Sequence, residues 1–399
     1  MTTYVMSVTS WDSSILNIEQ LLCETLSCEK VIKLGKLQTL WSGYGEIARF
    51  MMHYLPERPH ENSRDDLINR SASQTVIVKH IAPPTQSSHP HQWDTEISHQ
   101  RKMRSYQVEL NWYRDFTPRC QGVLNLPQLL VADQDTETQE MLLVMSDLDA
   151  QGFDQRRINL TQAELYACIE WLARFHAMFA YECADELGYE LGYELANKFA
   201  YEASQASTKD HPSEKEFPNA APYAGLWPIG TYWHLATRPD ELEIMADSPL
   251  KNAAEAIDAR LNQARFQTLV HGDAKVANFC FHKEVESLGV DGVAALDFQY
   301  VGAGIGVKDF IYLLGSCLDE AQLVTNYDAA CSHYFKALKQ QLSGRWAAEQ
   351  IEALVNEWND LLPFAWADFE RFLAGWQPEH HKRNGFSQDM TQRALNALG

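Results

Sequence analysis

The chain has 399 residues, 45% of them hydrophobic, and a formal net charge of −21 at pH 7. This length and composition are sufficient for a globular protein whose two lobes share a cleft. The negative charge argues against nucleic acid or an anionic membrane as a partner, because the phosphate groups of either would be repelled. It is compatible with a cationic small substrate, although acidity that only keeps the protein soluble explains it equally well.

The apolar runs and the cysteines of the sequence indicate the cellular location of the protein and whether it holds a structural metal. The longest uncharged apolar runs are far shorter than the roughly 20 residues that span a bilayer, and no basic-then-apolar signal segment begins the sequence. The eight cysteines are scattered and form no C-x-x-C pair, so neither a structural zinc site nor a disulfide framework is expected. We therefore expect a cytoplasmic protein with free thiols, and nothing in the sequence indicates a protein partner.

The N-terminal third is predicted to contain an antiparallel sheet. Residues 37–41 and 47–52 have the pattern of two strands joined by a glycine-containing hairpin turn at 42–46. An ordinary hairpin explains this turn as well as a functional one. Residues 74–81 alternate like a third strand, with Lys79 near its end.

A helix and a buried strand are predicted next. Residues 97–116 carry apolar side chains at helical spacing, with Glu109 near the middle. Residues 141–145 form a continuous apolar run that ends at Ser146-Asp147-Leu148, as expected for a buried strand followed by a turn.

The region from 148 to 271 is predicted to be mostly helical. Residues 160–181 have one broad apolar face, opened by the capping-box sequence Thr161-Gln-Ala-Glu164. His176 on that face is interpreted as a packed core histidine. An aromatic cluster follows, which belongs either to the core or to a substrate surface: Tyr223, Trp227, Tyr232 and Trp233.

Two polar segments each follow a short predicted strand: His-Gly-Asp-Ala-Lys-Val-Ala-Asn at 271–278 and Leu-Asp-Phe-Gln at 296–299. Asp273 is the candidate to accept the proton of an attacking hydroxyl. Asn278 and Asp297 are the candidate ligands of Mg²⁺, which would neutralise charge on transferring phosphates. No G-x-S-x-G elbow and no Rossmann fingerprint supports a hydrolase or a dehydrogenase instead.

These segments resemble the eukaryotic-kinase-like superfamily, in which H-x-D-x-x-x-x-N is followed by D-F. Gly272 stands where regulated protein kinases usually carry arginine, and H-G-D is typical of aminoglycoside phosphotransferases and choline kinases. Gln299 after Asp297-Phe298 is similar to the ecdysteroid-kinase-like branch. Because both the arginine and a flexible glycine are missing, we expect an enzyme that is always active.

The resemblance implies an α+β, two-lobed, protein-kinase-like fold. Residues 1–147 would be a small β-rich lobe, a helix plus an antiparallel sheet, that binds nucleotide. Residues 148–399 would be a large, mostly helical lobe with the catalytic loop and the substrate site.

The resemblance also assigns roles in binding ATP. Lys79 would contact the α and β phosphates and Glu109 would pair with it, with Glu96 as the second candidate. Close approach of backbone to phosphate is implied for Ser42, Gly43, Tyr44 and Gly45. Met145 would be the gatekeeper beside the adenine, which the backbone groups of Ser146 and Leu148 would contact.

The sequence after Asp297 argues against peptide substrates. Only a short glycine-rich stretch separates Phe298 from a predicted helix at Asp309, and no A-P-E follows. Asp309 would either brace the catalytic loop, as in the family, or serve as the N-cap of its own helix. Lys275 stands where serine/threonine kinases carry a lysine that contacts the transferring phosphoryl group.

The expected function is therefore transfer of the γ-phosphoryl group of ATP, with Mg²⁺, to a hydroxyl of a small molecule. The acceptor would be an alcohol, cationic or amphipathic in character, whose identity the sequence does not give. Two alternatives remain: a kinase-fold ATP-binding module without turnover, and a transferase that moves AMP instead of phosphate.

Overall fold

The computed structural model describes residues 18–54, 73–83, 95–135, 137–183 and 223–399, without the side chains of residues 95–96. Contacts divide the chain into two compact units. The first consists of Met1–Pro90 and Pro127–Gln151, and the second of His91–Leu126 and Gly152–Gly399. Residues 91–126, which the sequence-based division assigned to the small lobe, thus group with the larger unit.

The first unit is built on a five-stranded antiparallel sheet in the order β1-β2-β3-β5-β4. Its elements are α1 (Ile18–Leu26), β1 (Lys30–Thr39), β2 (Gly45–His53), β3 (Ser73–Ile81), β4 (Leu129–Gln134) and β5 (Met141–Ser146). The predicted hairpin, third strand and buried strand are all confirmed.

The core of this unit lies on one face of the sheet, because alternate side chains of a strand point to the same side. Phe50 and Met52 on β2 and Val76 and Val78 on β3 are buried there, and Leu22 of α1 packs against them. Strand β5 lies between β3 and β4 and is buried along its whole length, which accounts for its continuous apolar run.

The second unit is mostly helical. It begins with α2 (Thr95–Asn111), which continues through a π-helical turn at Trp112–Phe116 into α3 (Thr117–Cys120). The remaining helices are α4 (Gln162–Phe179), α5 (Pro239–Ile244), α6 (Pro249–Asn252), α7 (Ala254–Asn262), α8 (Val285–Leu288), α9 (Val307–Cys317), α10 (Glu320–Leu342), α11 (Ala348–Asp360), α12 (Leu362–Trp376) and α13 (Gly385–Leu398).

Helix α4 lies at the centre of this unit and begins where the sequence predicts. The Thr161 hydroxyl accepts from Glu164 N–H at 3.2 Å, and the Glu164 carboxylate accepts from Thr161 N–H at 2.9 Å. This capping box satisfies two N–H groups that would otherwise lack partners. The apolar face of α4 is buried and packs on α10 and on strand β7 (Phe266–Val270).

Short strands place the two polar segments. Strand β7 pairs with β6 (Tyr181–Glu182) and β10 (Gly302–Gly304), and β8 (Phe279–Phe281) pairs with β9 (Val293–Ala295). One polar segment leaves the end of β7, and the other leaves the end of β9. The α+β class, with a β-rich N-terminal part and a helical C-terminal part, is confirmed.

All eight cysteines are free thiols, as expected. No helix in the described ranges has the length and apolar character needed to cross a membrane.

Candidate active site

The loop at 271–278 is held in place by the carboxylate of Asp309. Its Oδ2 accepts from His271 N–H at 2.5 Å and its Oδ1 accepts from Gly272 N–H at 2.9 Å. Helix α9 starts at Val307, two residues earlier than predicted, with Gly306 as its N-cap. Asp309 is therefore not the N-cap of its own helix and braces the loop instead.

His176 of α4 completes this brace, a role that sequence reasoning missed. Its Nε2 lies 3.1 Å from Asp309 Oδ2, and its Nδ1 lies 2.8 Å from the hydroxyl of Tyr334. The imidazole is completely buried, so it is a core residue as predicted, but it also links α4, α9 and α10. A polar side chain on a buried helix face needs hydrogen-bond partners. A histidine on the apolar face of the predicted helix could therefore have been recognised in the sequence as a residue that binds another polar group.

Gly272 is required by its surroundings. Its φ is +80°, and a Cβ there would lie 2.1 Å from the carbonyl oxygen of Tyr300 and 2.9 Å from the backbone nitrogen of Thr231. The segment that contains Thr231 is fixed against the loop, since Tyr232 N–H donates to Gly272 O at 3.0 Å. An arginine at this position, as in regulated protein kinases, would not fit.

Asp273, Lys275 and Asn278 form one hydrogen-bonded group. Lys275 Nζ lies 2.7 Å from Asp273 Oδ2, and Asn278 Nδ2 donates to Asp273 Oδ2 at 3.1 Å and to its backbone oxygen at 2.8 Å. Burial raises the pKa of Asp273, opposed by the charge of Lys275 and reinforced by that of Asp297. A buried carboxylate with a raised pKa accepts a proton more readily, as a general base must.

The pairing of β8 with β9 brings Asn278 and Asp297 together. Phe279 is opposite Ala295, and Leu296 N–H donates to Asn278 O at 3.0 Å, so Asn278 at the start of one strand faces the end of the other. Asp297 has a φ of +69°, a strained conformation of the kind found at functional sites.

The donor set of this pair fits Mg²⁺. Because Asn278 Nδ2 donates to Asp273, the amide oxygen is the atom that Asn278 can offer to a metal, and Asp297 offers carboxylate oxygens. Mg²⁺ prefers such hard oxygen ligands, few from protein and the rest from water and phosphate.

The residues after Asp297 are packed firmly within the second unit. Phe298 is fully buried, and the centroid of its ring lies 4.6 Å from that of Trp112 and 4.3 Å from that of His271. The side-chain oxygen of Gln299 accepts from Ser105 Oγ at 3.2 Å. Gln299 thus binds the segment to α2, in keeping with the absence of a flexible glycine.

Glu109 and Lys79 fall in different units. Glu109 is buried on α2, and its charge and that of Asp297 both raise the pKa of Tyr113, whose burial has the largest effect. Lys79 is buried on β3 of the first unit. Their expected ion pair remains a prediction, as does the alternative use of Glu96, whose side chain lies outside the described residues.

The turn from Ser42 to Gly45 is compact. Ser42 and Gly43 have φ values of 55° and 78°, and a Cβ on Gly45 would lie 2.0 Å from the carbonyl oxygen of His80. Gly43 N–H donates to Leu40 O at 3.1 Å and Tyr44 N–H to Trp41 O at 3.4 Å, both just before the turn. Phosphates would therefore have to displace these bonds or use other groups.

The residues expected around adenine lie at the end of β5. Met145, Ser146 and Leu148 are buried. Ser146 N–H already donates to Gln128 O at 2.9 Å, and Leu148 O accepts from Gln151 N–H at 3.0 Å. These bonds occupy the Ser146 N–H and the Leu148 C=O, and contact between adenine and the backbone of these two residues remains a prediction.

Some residues of the aromatic cluster lie in the hydrophobic core and others lie near the candidate active site. Trp233 is fully buried, and Tyr223 donates to Phe179 O in the core. Trp227 Nε1 donates to Gln299 O at 2.8 Å. The Tyr232 hydroxyl lies within electrostatic reach of Asp273: the pKa of Tyr232 is raised by burial and by the charge of Asp273.

Tyr312, which sequence reasoning did not select, lies beside Tyr232. Its hydroxyl is 3.4 Å from that of Tyr232, and its pKa is raised by burial and by Asp273. It was missed because it lies within an apolar stretch of α9.

Comparison with known proteins gives one family. The sequence model of the Ecdysteroid kinase-like family matches residues 68–344, more than half of the chain. No curated protein matches.

Several solved structures are similar at low identity. An aminoglycoside-3′-phosphotransferase of type VIII matches with 13% identity and a TM-score of 0.36, covering 82% of this chain and 93% of its own. A microcompartment-associated aminopropanol kinase matches with 11% identity and a TM-score of 0.39, covering 94% of each chain. A thermostable mutant of aminoglycoside phosphotransferase APH(4)-Ia, in ternary complex with ADP and hygromycin B, matches with 8% identity and a TM-score of 0.38, covering 96% and 99%.

Proposed function

Since the chain belongs to the ecdysteroid kinase-like family, we propose that it is an ATP-dependent phosphotransferase that moves the γ-phosphoryl group to a hydroxyl of a small molecule. The observation that carries this proposal is the grouping of three residues: Asn278 and Asp297 lie at facing ends of the paired strands β8 and β9, and Asn278 donates to Asp273, which follows β7. It supplies a proton acceptor and two oxygen ligands for a metal, which are the protein groups that phosphoryl transfer needs.

Asp273 would orient the acceptor hydroxyl and take its proton as the oxygen attacks phosphorus. The loop brace keeps the carboxylate in place, because Asp309 holds the two backbone N–H groups immediately before it. Asn278 Oδ1 and the Asp297 carboxylate would hold Mg²⁺, which when bound neutralises negative charge on the phosphates.

Lys275 would stabilise the transferring group. Burial lowers its pKa, but the charge of Asp273 outweighs this and raises the pKa above the usual value, so the amine stays protonated. A fixed cation beside the base can interact with the equatorial oxygens of the phosphoryl group.

The first unit would supply contacts to ATP. We assign Lys79 to the α and β phosphates; Glu109, which belongs to the second unit, would orient Lys79. The turn would approach the phosphates through Ser42, Gly43, Tyr44 and Gly45, and Met145, Ser146 and Leu148 would border the adenine. The free thiols fit a cytoplasmic location, where reducing conditions keep cysteines unpaired.

A direct test is to incubate the protein with MgATP and a panel of small alcohols and to weigh the products. Addition of phosphate supports the proposal, whereas addition of AMP would establish the nucleotidyl transferase alternative. Asp273→Asn should lower turnover by about 10²- to 10⁴-fold, the range for loss of a general base. Its affinity for MgATP should change little.

The control for this variant is Asp328→Asn on the exposed face of α10, which should leave turnover unchanged. Undiminished turnover in both Asp273→Asn and Asp297→Ala would exclude this mechanism. Binding of ATP without turnover of any alcohol would favour a kinase-fold binding module.

A further inference from the structure

Lys382 brings a positive charge close to the catalytic base from a distant part of the sequence. It lies in the loop between α12 and α13, beyond the residues that the family model matches. Its Nζ is 4.9 Å from the ring centroid of Tyr312 and 5.8 Å from that of Phe369. Within the described part of the chain, no hydrogen bond or ion pair involves this Nζ, since only the backbone N–H of Lys382 donates, to His380 Nδ1.

The amine is partly enclosed and lies within electrostatic reach of the catalytic residues. Burial lowers the pKa of Lys382 to about 8; Asp273 favours its charged form and Lys275 disfavours it. The rings of Tyr312 and Phe369 attract the charged amine, but the lowered pKa indicates that they do not fully replace its lost hydration. A bound anion would supply the ion pair and the hydrogen bond that the two rings cannot provide.

Aromatic rings surround this position. The ring of Tyr312 lies 5.6 Å from that of Tyr232, which lies 5.9 Å from that of Tyr300. Tyr232 and Tyr300 are only partly buried, so part of each ring is accessible to a ligand. Such rings offer contact to an apolar or aromatic body.

Two carboxylates near these rings already have cationic partners. Glu241 Oε1 lies 3.1 Å from Arg238 NH1, and the guanidinium of Arg238 lies over Tyr232. The fully buried Asp368 lies 3.3 Å from Lys308 Nζ and 2.7 Å from Arg371 NH2. A cationic acceptor would have to compete with these pairs.

We propose that Lys382 is a specificity-determining residue that binds an anionic group of the acceptor. The acceptor would then be an alcohol with an apolar or aromatic body and a carboxylate or similar anion. This inference rests on the proposed phosphotransferase function. It differs from the cationic acceptor with which the net charge is compatible, because Lys382 places a second lysine charge, besides that of Lys275, near Asp273.

The test uses three alcohols of the same shape and different charge: 3-(hydroxymethyl)benzoate, 3-(hydroxymethyl)benzamide and 3-(aminomethyl)benzyl alcohol. MgATP-dependent phosphorylation is followed by product mass, and kcat and KM are measured for each. The wild-type protein should prefer the benzoate over the amine by about tenfold or more in kcat/KM, as expected for one charge-assisted hydrogen bond.

Variants of Lys382 should change this preference through KM for the alcohol. Lys382→Gln should abolish the preference for the benzoate, Lys382→Arg should keep most of it, and Lys382→Glu should reverse it in favour of the amine. KM for ATP should stay the same in all three. Lys336→Gln, at an exposed lysine of α10, is the charge-matched control and should behave like wild type, and circular dichroism checks that each variant is folded.

Other outcomes overturn the inference. Equal kcat/KM of the wild type for the three alcohols, or a higher kcat/KM for the amine, would overturn it. A rise in KM for ATP in Lys382→Gln, without a change in KM for the benzoate, would place the lysine on the phosphates. Slow hydrolysis of ATP without phosphorylation of any probe would reject this acceptor class and leave the phosphotransferase intact, whereas absence of all ATP turnover would count against the proposed function itself.

Discussion

A single glycine shows how closely the loop at 271–278 is packed. Gly272 combines a φ of +80° with neighbouring backbone atoms that leave no space for a Cβ. The backbone carbonyl of Tyr300 and the backbone N–H of Thr231, which form a hydrogen bond of 3.1 Å, occupy that space. These are backbone atoms of two other segments, so they cannot move aside as a flexible side chain could.

Replacement of this glycine gives a test at the scale of one residue. Gly272→Ala should strongly lower turnover, by more than tenfold, because the loop must shift and take Asp273 with it. Gly344→Ala is the matched control: its φ is +84°, and a Cβ there meets nothing within 4 Å. That control should lose only the roughly 1–2 kcal/mol of a left-handed alanine and keep its activity. Thermal unfolding and kcat are measured for both variants, to separate the effect of backbone strain from that of the steric clash. Equal losses of stability and kcat in Gly272→Ala and Gly344→Ala would contradict the claim that neighbouring backbone atoms exclude a Cβ at Gly272.

At the scale of elements, α12 carries a buried ionic group that fixes neighbouring segments. Asp368 accepts from Trp233 Nε1 at 3.1 Å and from Arg371 NH2 at 2.7 Å, and Lys308 of α9 lies 3.3 Å away. Burial alone would raise the pKa of Asp368, but the charges of Arg371 and Lys308 outweigh it and hold the pKa below its usual value. The carboxylate thus joins α12 to α9 and to the segment that contacts the catalytic loop.

Removal of this charge should destabilise the protein at neutral pH. Asp368→Asn leaves two buried cations without their anion, a loss of about 3–5 kcal/mol. Because a lowered carboxyl pKa stabilises the fold above the unfolded value near 3.9, the difference between wild type and variant should be constant from pH 8 to 5. It should shrink only as the pH falls further toward the folded pKa. Urea unfolding across this pH range measures the difference in the free energy of unfolding. The control Asp328→Asn, at an exposed position, should change the free energy of unfolding by less than about 0.5 kcal/mol. A difference between wild type and Asp368→Asn that grew on acidification would refute the assignment.

At the scale of the whole molecule, the acidic chain is proposed to bind an anionic nucleotide. The strong negative charge opposes this over long distances, so the site must supply local compensation. Lys79 and Lys275 would do so, together with a metal held by Asn278 and Asp297. Nucleotide binding should therefore depend on the divalent ion.

The dependence of nucleotide binding on Mg²⁺ can be measured as a change in the thermal stability of the protein. With ATP at about one hundred times its dissociation constant, Mg²⁺ and nucleotide together should stabilise the protein by about 2.7 kcal/mol. The rise in melting temperature should be much smaller for ATP with EDTA, and smaller for Asp297→Asn with MgATP. Lys336→Gln should respond like wild type. Equal stabilisation with and without Mg²⁺ would remove Asn278 and Asp297 as metal ligands.

Much of the fold could be predicted from local patterns. Alternation predicted the strand at residues 74–81, a continuous apolar run predicted the strand at 141–145, and the capping box predicted the start of α4. The family resemblance carried by residues 271–278 and 296–299 is confirmed. These features depend on neighbours two to four residues apart, which the sequence displays directly.

The tertiary structure decided which distant residues meet. The partnership of His176 with Asp309, the backbone atoms that surround Gly272, and the approach of Lys382 to Tyr312 join segments far apart in the sequence. The packing of helices and strands sets these contacts, and no local periodicity encodes them. The sequence by itself thus determined the family and the fold class, and only the tertiary arrangement revealed how the loop at 271–278 is held and which lysine side chains lie near Asp273.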